Sequence, residues 1–211
     1  YIKVHPSLSI EEYLSLYKAK RKNLWQEEEK LTSGKGNEAA LLEDYRRTVA
    51  ATFSLLLEQL QKTSPQALEL LKFTSFLGNQ DIPKRFLKTW LMDQQKRSDF
   101  DFHDATSALL KSSVFEKNES NPNQEETYNV HAVLHEYVRN TLSKEEKELY
   151  LTEATKLFSD FLPASSYKVW KVLFDDRYLE FHLEALLDLA ERSHFQSTDL
   201  LILKIKHLHN L

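Results

Sequence analysis

From Tyr45 to Leu60 the apolar positions Val49, Phe53, Leu56, Leu57 and Leu60 recur at intervals of three and four, which places them on one face of a helix. Ser64-Pro65 supplies a cap and a first-turn proline, so a second helix is expected from Pro65 to about Leu77, closed by Gly78. Asp81-Ile82-Pro83 reads as the start of a third helix through Leu91, and Asp104 to Leu110 as a short fourth. Ser113 to Lys117 and Tyr128 to His131 are β-prone runs on either side of the polar, turn-rich stretch Asn118 to Glu126, a pattern that predicts one hairpin with a long loop. A further helix follows at once through Leu134, Tyr137, Val138 and Leu142. Ser143-Lys144-Glu145-Glu146 then has the capping-box form that opens the next one.

The ends of the chain carry weaker patterns. Ser9-Ile10-Glu11-Glu12 is another capping box, followed by Tyr13, Leu14, Tyr17 and Leu24 at helical spacing; the basic run Lys18 to Lys22 reads as a solvated helix face. Thr32 to Asn37 holds two of the three glycines and marks a linker near residue 36. Beyond 143, Leu151, Ala154, Leu157, Phe158 and Phe161, and later Leu183, Leu186, Leu187 and Leu189, alternate helical stripes with breaks such as Pro163 to Tyr167. The expected fold is mainly α with local α+β character: a helical segment and linker over 1–36, a winged-helix-like domain with one β-hairpin over 40–142, and helical hairpins over 143–211 leading into a repeat array.

Composition narrows the chemistry. The 211 residues include no cysteine, which excludes a disulfide framework, a thiolate zinc site and cysteine catalysis. Three glycines and five prolines leave few tight hairpins, in agreement with a helical chain. No run of apolar residues approaches a membrane span, and Tyr1 opens no signal sequence, so a cytoplasmic protein is expected. Starting without Met and stopping at Leu211 soon after the apolar-rich run Leu200 to Ile205, before any Gly or Pro stop signal, the chain reads as a piece of a longer one.

Motifs for catalysis are absent: there is no nucleophile elbow, no P-loop, and Gly34-Lys35-Gly36 has its glycine and lysine in the wrong order for one. His131 and His135 stand four apart, but no third ligand accompanies them, and His207 and His209 point different ways on a helix. Trp25, Trp90 and Trp170 read as packing anchors. A winged helix raises the alternative of DNA binding, yet residues 99–126 hold seven carboxylates against Lys111 and Lys117, a local charge of −5 that repels phosphates.

The order of segments resembles the STAND-type signalling ATPases, in which an NB-ARC-like module precedes tetratricopeptide repeats. Ser7 to Tyr17 is similar to the helical domain after the nucleotide-binding domain, and Thr48 to Leu60, Ala67 to Leu77 with Ile82-Pro83, and Ala108 to Leu110 are similar to its winged helix. The most specific run, Val130-His131-Ala132-Val133-Leu134 through Val138-Arg139, resembles the motif that ends that domain. Trp170 and Leu179 to Leu187 resemble the bridge into the repeats, with Phe181 where the family pattern has proline.

The resemblance implies a regulatory segment without its P-loop. An upstream domain would bind ADP or ATP with magnesium, and His131 would contact the ADP phosphate and lock a closed state. Partners would be that upstream domain in cis and a protein bound through downstream repeats, with oligomerisation on activation; neither nucleic acid nor membrane is expected as a partner. The longer protein would be a slow ATPase and this segment not an enzyme. Independently of the family, a histidine at a strand-to-helix junction lies beside amides that favour anions, although such a histidine also serves as an ordinary structural hydrogen-bonding group. A scaffold that binds proteins without nucleotide coupling is the alternative reading.

Overall fold

The computed structural model describes residues 37–118, 125–162 and 176–208. The Ser9 cap, the Lys18 to Lys22 run, Trp25, the Thr32–Gly36 part of the linker, most of the Asn118–Glu126 loop, the Pro163–Tyr167 break, Trp170 and His209 lie outside the described residues. The fold is mainly helical with a small antiparallel sheet. Two compact units divide the chain, Tyr1–Leu68 and Glu69–Leu211.

The first unit contributes the long helix α1 (Asn37–Thr63). Ala51, Leu55, Leu56 and Leu60 are its buried positions, whereas Val49, Phe53 and Leu57 are only half-buried. The buried stripe keeps Leu56 and Leu60 of the predicted one and is turned toward Ala51 and Leu55. Helix α2 (Pro65–Thr74) starts at its proline as expected but ends three residues early, its last turn loosening through Ser75, Phe76 and Leu77.

In the second unit the chain after α2 turns at Asp81, whose φ of 51° is left-handed, and enters β1 (Ile82–Pro83). These residues were expected to begin a helix. They form an edge strand instead, for two reasons: the residue before a proline prefers extended backbone, and a proline without an N–H fits a sheet edge. Helix α3 (Lys84–Thr89) follows, with Pro83 extended at its N-cap. The sheet consequently has three strands in the order β1-β3-β2, not the two of a single hairpin. Strand β2 (Phe115–Asn118) pairs with β3 (Thr127–Val130) at Phe115↔Val130, and β1 pairs with β3 at Ile82↔Tyr128.

After α3 the helix widens into a π turn at Trp90–Gln94, where the Gln95 amide reaches the Trp90 carbonyl. Helix α4 (Asp99–Lys111) starts five residues before the expected Asp104, because Ser98 and Asp101 form a reciprocal capping box. Aspartate here does the work usually sought from glutamate or glutamine at that position. Helix α5 (Ala132–Thr141) follows β3, and α6 (Lys144–Phe161) opens on the Ser143–Glu146 capping box. Glu146 also accepts from Lys72 at 2.7 Å, tying α6 to α2.

Helices α7 (Arg177–Arg192) and α8 (Thr198–Leu208) complete the unit; α6 packs against both, and α7 also rests on β1. The segment from 143 thus lies in the same compact unit as α3, α4, α5 and the sheet. Its core is aromatic. Trp90 stacks on Phe73 at 4.3 Å between centroids with an 8° tilt, while Phe86 meets Phe158 edge-on and Phe161 at 5.0 Å. Trp90 is the packing anchor the sequence suggests, and its indole N–H donates to Glu153 at 2.9 Å. Among the described residues no helix is long and apolar enough to cross a membrane.

Candidate functional site

His131 sits between the last residue of β3 and the first of α5, in extended backbone (φ −60°, ψ 126°). It is exposed, and it is the N-cap: its Nδ1 accepts from the Val133 amide at 3.3 Å, while its carbonyl accepts from the His135 amide at 3.0 Å. The first turn of α5 contains no acidic side chain, so the positive end of the helix meets solvent beside this ring. An accepting Nδ1 places the neutral ring's proton on Nε2, the nitrogen turned away from the cap. Nε2–H is then the ring's donor toward an anion.

The strand that delivers His131 is held from the turn after α2. The Val130 amide donates to the Asn79 carbonyl at 2.8 Å, the Asn79 side chain donates back to the Val130 carbonyl at 3.2 Å, and the Asp81 amide donates to Asn129 Oδ1 at 2.8 Å. Asp81 Oδ1 in turn accepts from Asn118 and Thr127. These polar contacts fix the β3–α5 junction.

His135, one turn along, does not join His131 in a site. Its buried ring lies within 2.6 Å of the Thr74 carbonyl through Nε2, which must carry the proton to donate there. Burial pushes its pKa down to about 4. No group of three or more metal-ligating side chains occurs among the described residues. Arg139, in the last turn of α5, donates to the Ser75 carbonyl at 2.7 Å, so both His135 and Arg139 anchor α5 to the end of α2.

A third histidine, His182 on α7, is fully buried. Its Nδ1 accepts from the Gly78 amide at 2.9 Å and its Nε2 faces the Asp81 carbonyl at 3.1 Å. Burial again pushes the ring down, to about 4. The signal for it is present in the sequence. Leu179, Leu183, Leu186 and Ala190 form the buried stripe of α7, and position 182 falls on that stripe.

The acidic stretch over residues 99–126 is less bare than its formal charge implies. Glu126 pairs with Lys84 and Lys117, each at 3.3 Å, and Lys88 pairs with Asp99 at 2.7 Å. Arg85 pairs with Glu125 at 2.6 Å and with Asp176, the N-cap of α7, while its guanidinium lies 5.2 Å from the Phe86 ring centre. Lys117, one of the two lysines in that stretch, is thus engaged within the fold.

Two grooves lie elsewhere. One of about 450 Å³ is bordered by Phe195, Thr198, Leu201 and Lys204 at the α7–α8 turn, and one of about 570 Å³ by Lys144, Lys147, Leu151 and His194 beside α6. His131 lines neither. Exposed apolar side chains include Phe181 on α7 and Leu201 and Ile202 on α8.

A family model described as a domain of unknown function (DUF7779) matches residues 58–147, a span that includes the sheet, His131 and α5 and stops before α7. No curated protein and no solved structure matches the chain.

Proposed function

We propose that this chain is the regulatory segment of a nucleotide-dependent signalling switch of the STAND type. In this reading it closes over an upstream nucleotide-binding domain in the ADP state and swings away in the ATP state. Nucleotide, magnesium and the slow hydrolysis belong to that upstream domain, and the setting is cytoplasmic. Helices α7 and α8 with the repeats beyond them relay a protein partner, and the open state oligomerises. The observation that supports this reading is His131: an exposed ring capping a helix whose first turn carries no acidic side chain, oriented by its bond to Val133, with Nε2 turned away from the cap. A β-phosphate oxygen is the kind of acceptor that such a donor fits.

The test is ADP dissociation from the longer protein carrying its upstream domain. Loss of one hydrogen bond to a charged group, roughly 1.5–3 kcal/mol, corresponds to a roughly tenfold to hundredfold faster release from His131→Ala. An unchanged off-rate removes His131 from the mechanism. The scaffold reading draws support from the exposed Leu201 and Ile202 on α8. Equal partner affinity in the presence of ADP and ATP would favour it. DNA binding has the least support, since Lys84 and Lys117 already pair with Glu126.

A further inference from the structure

The turn Gly78–Asp81 is gripped from two sides. On one side His182 of α7 holds both its ends, accepting from the Gly78 amide and donating to the Asp81 carbonyl. Only one tautomer does this, with Nδ1 bare and Nε2 protonated. On the other side the same turn holds β3, through the two Asn79–Val130 hydrogen bonds and the Asp81–Asn129 bond. The residue after Val130 is His131. We propose that the Gly78–Asp81 turn is a mechanical link between α7 and the His131 cap, so that displacement of α7 is transmitted to the β3–α5 junction.

Two features make the link stiff. Gly78 leaves no room for slippage: a Cβ there would lie 2.3 Å from the Phe181 ring and 2.9 Å from His182 Nδ1, so α7 is seated directly on the turn's backbone. The Gly78 contact is also buried and the Asp81 contact half-buried, so moving α7 alone strands the Gly78 amide without a partner. α5 itself is anchored separately by His135 and Arg139 on the end of α2, which confines the transmitted movement to the cap.

The link has a chemical off state. A proton on Nδ1 turns an acceptor toward the Gly78 N–H into a second donor, and the grip fails. Burial opposes that proton most and Arg85 adds to the opposition, while Asp81 and Asp176 favour it, with the Phe86 ring edge-on at 5.7 Å; His182 in turn disfavours a proton on His135. With the ring's pKa pushed down to about 4 by burial, the link is closed at neutral pH. The coupling belongs to this chain by itself and is tested without nucleotide.

The experiment is residue-resolved amide hydrogen exchange and chemical shift on this chain at pH 7, comparing His182→Leu, which removes the acceptor, with His182→Asn, whose Oδ1 stands near the place of Nδ1. In His182→Leu the Val130 amide should lose protection by about tenfold and the Val133 resonance should move, while the Val114 amide at the end of α4 keeps its protection. His182→Asn should restore Val130 and Val133 toward wild type. Asn79→Ala provides the cut at the far end: Val133 should move while the α7 amides stay as they are. The proposal fails if His182→Leu leaves Val130 and Val133 unchanged. It also fails if both His182 variants lose protection uniformly, Val114 included, for His182 would then be a core residue and not a link.

Discussion

Two neutral histidines in the core should make this protein acid-sensitive in a window where carboxylates play little part. His135 is 4% exposed and His182 fully buried, and burial pushes each from 6.5 down to about 4. In the unfolded chain both rings take up protons near pH 6.5, whereas the folded protein accepts them only near pH 4. The unfolded state therefore binds more protons throughout this interval, so stability is fully present above about pH 6.5 and is lost as pH falls toward 4. At about 1.4 kcal/mol per pH unit each ring loses about 3 kcal/mol across the window, and the two together approach the roughly 5–15 kcal/mol that holds a domain folded. A charge on His182 also disfavours a proton on His135.

Carboxylates held below their ordinary range, Glu126 by Tyr128, Lys84 and Lys117 against its own burial, and Glu146 by Lys72, add their losses only at lower pH. Glu125, raised by burial, acts in the opposite sense, since the folded state then binds its proton first. Urea unfolding at a series of pH values from 7 to 4 reads the slope directly. The expected result is a falling midpoint with up to two protons taken up on unfolding, reduced by about one in His182→Asn or His135→Gln. A urea midpoint that stays level from pH 7 to 4.5 would refute the reasoning, because it would mean that the two rings are already solvated or charged in the fold.

Two further outcomes follow from the packing. Glu153→Leu should cost about 1–3 kcal/mol by leaving the buried Trp90 N–H without an acceptor, whereas Glu153→Gln, which still offers an oxygen, should cost less; urea titration of both compares them. Ser98→Ala should remove the α4 capping box, at about 1 kcal/mol and a melting temperature lower by roughly 2–4 °C, with amide exchange at Asp101 and Phe102 accelerating first.

Much of the helical architecture is legible along the chain because its determinants are local. The Ser143–Glu146 box, the proline opening α2 and the leucine stripe of α7 each involve residues within about one or two turns of each other, so spacing carries the information. The Ser98–Asp101 box is equally local and readable once aspartate is admitted at the third helical position. Ile82-Pro83 is different. Whether that dipeptide starts a helix or edges a sheet depends on Tyr128 and Thr127 lying alongside, some 45 residues later. Nothing in its own neighbourhood specifies that pairing.

The site divides in the same way. His131 stands out in the sequence by its position between a β-prone run and a helix, and the cap it forms is made with Val133, two residues away. The roles of His135, His182, Gly78 and Asn79 depend on partners 51 to 104 residues distant: Asn79 with Val130, His135 with Thr74, and Gly78 with His182. A histidine on an apolar stripe announces burial but not what it will bond, and a glycine announces freedom but not which ring will fill the space. Hydrogen-bond partners across a fold are chosen by the packing of whole elements, here α7 against the turn after α2, and that choice is made only when the chain is folded.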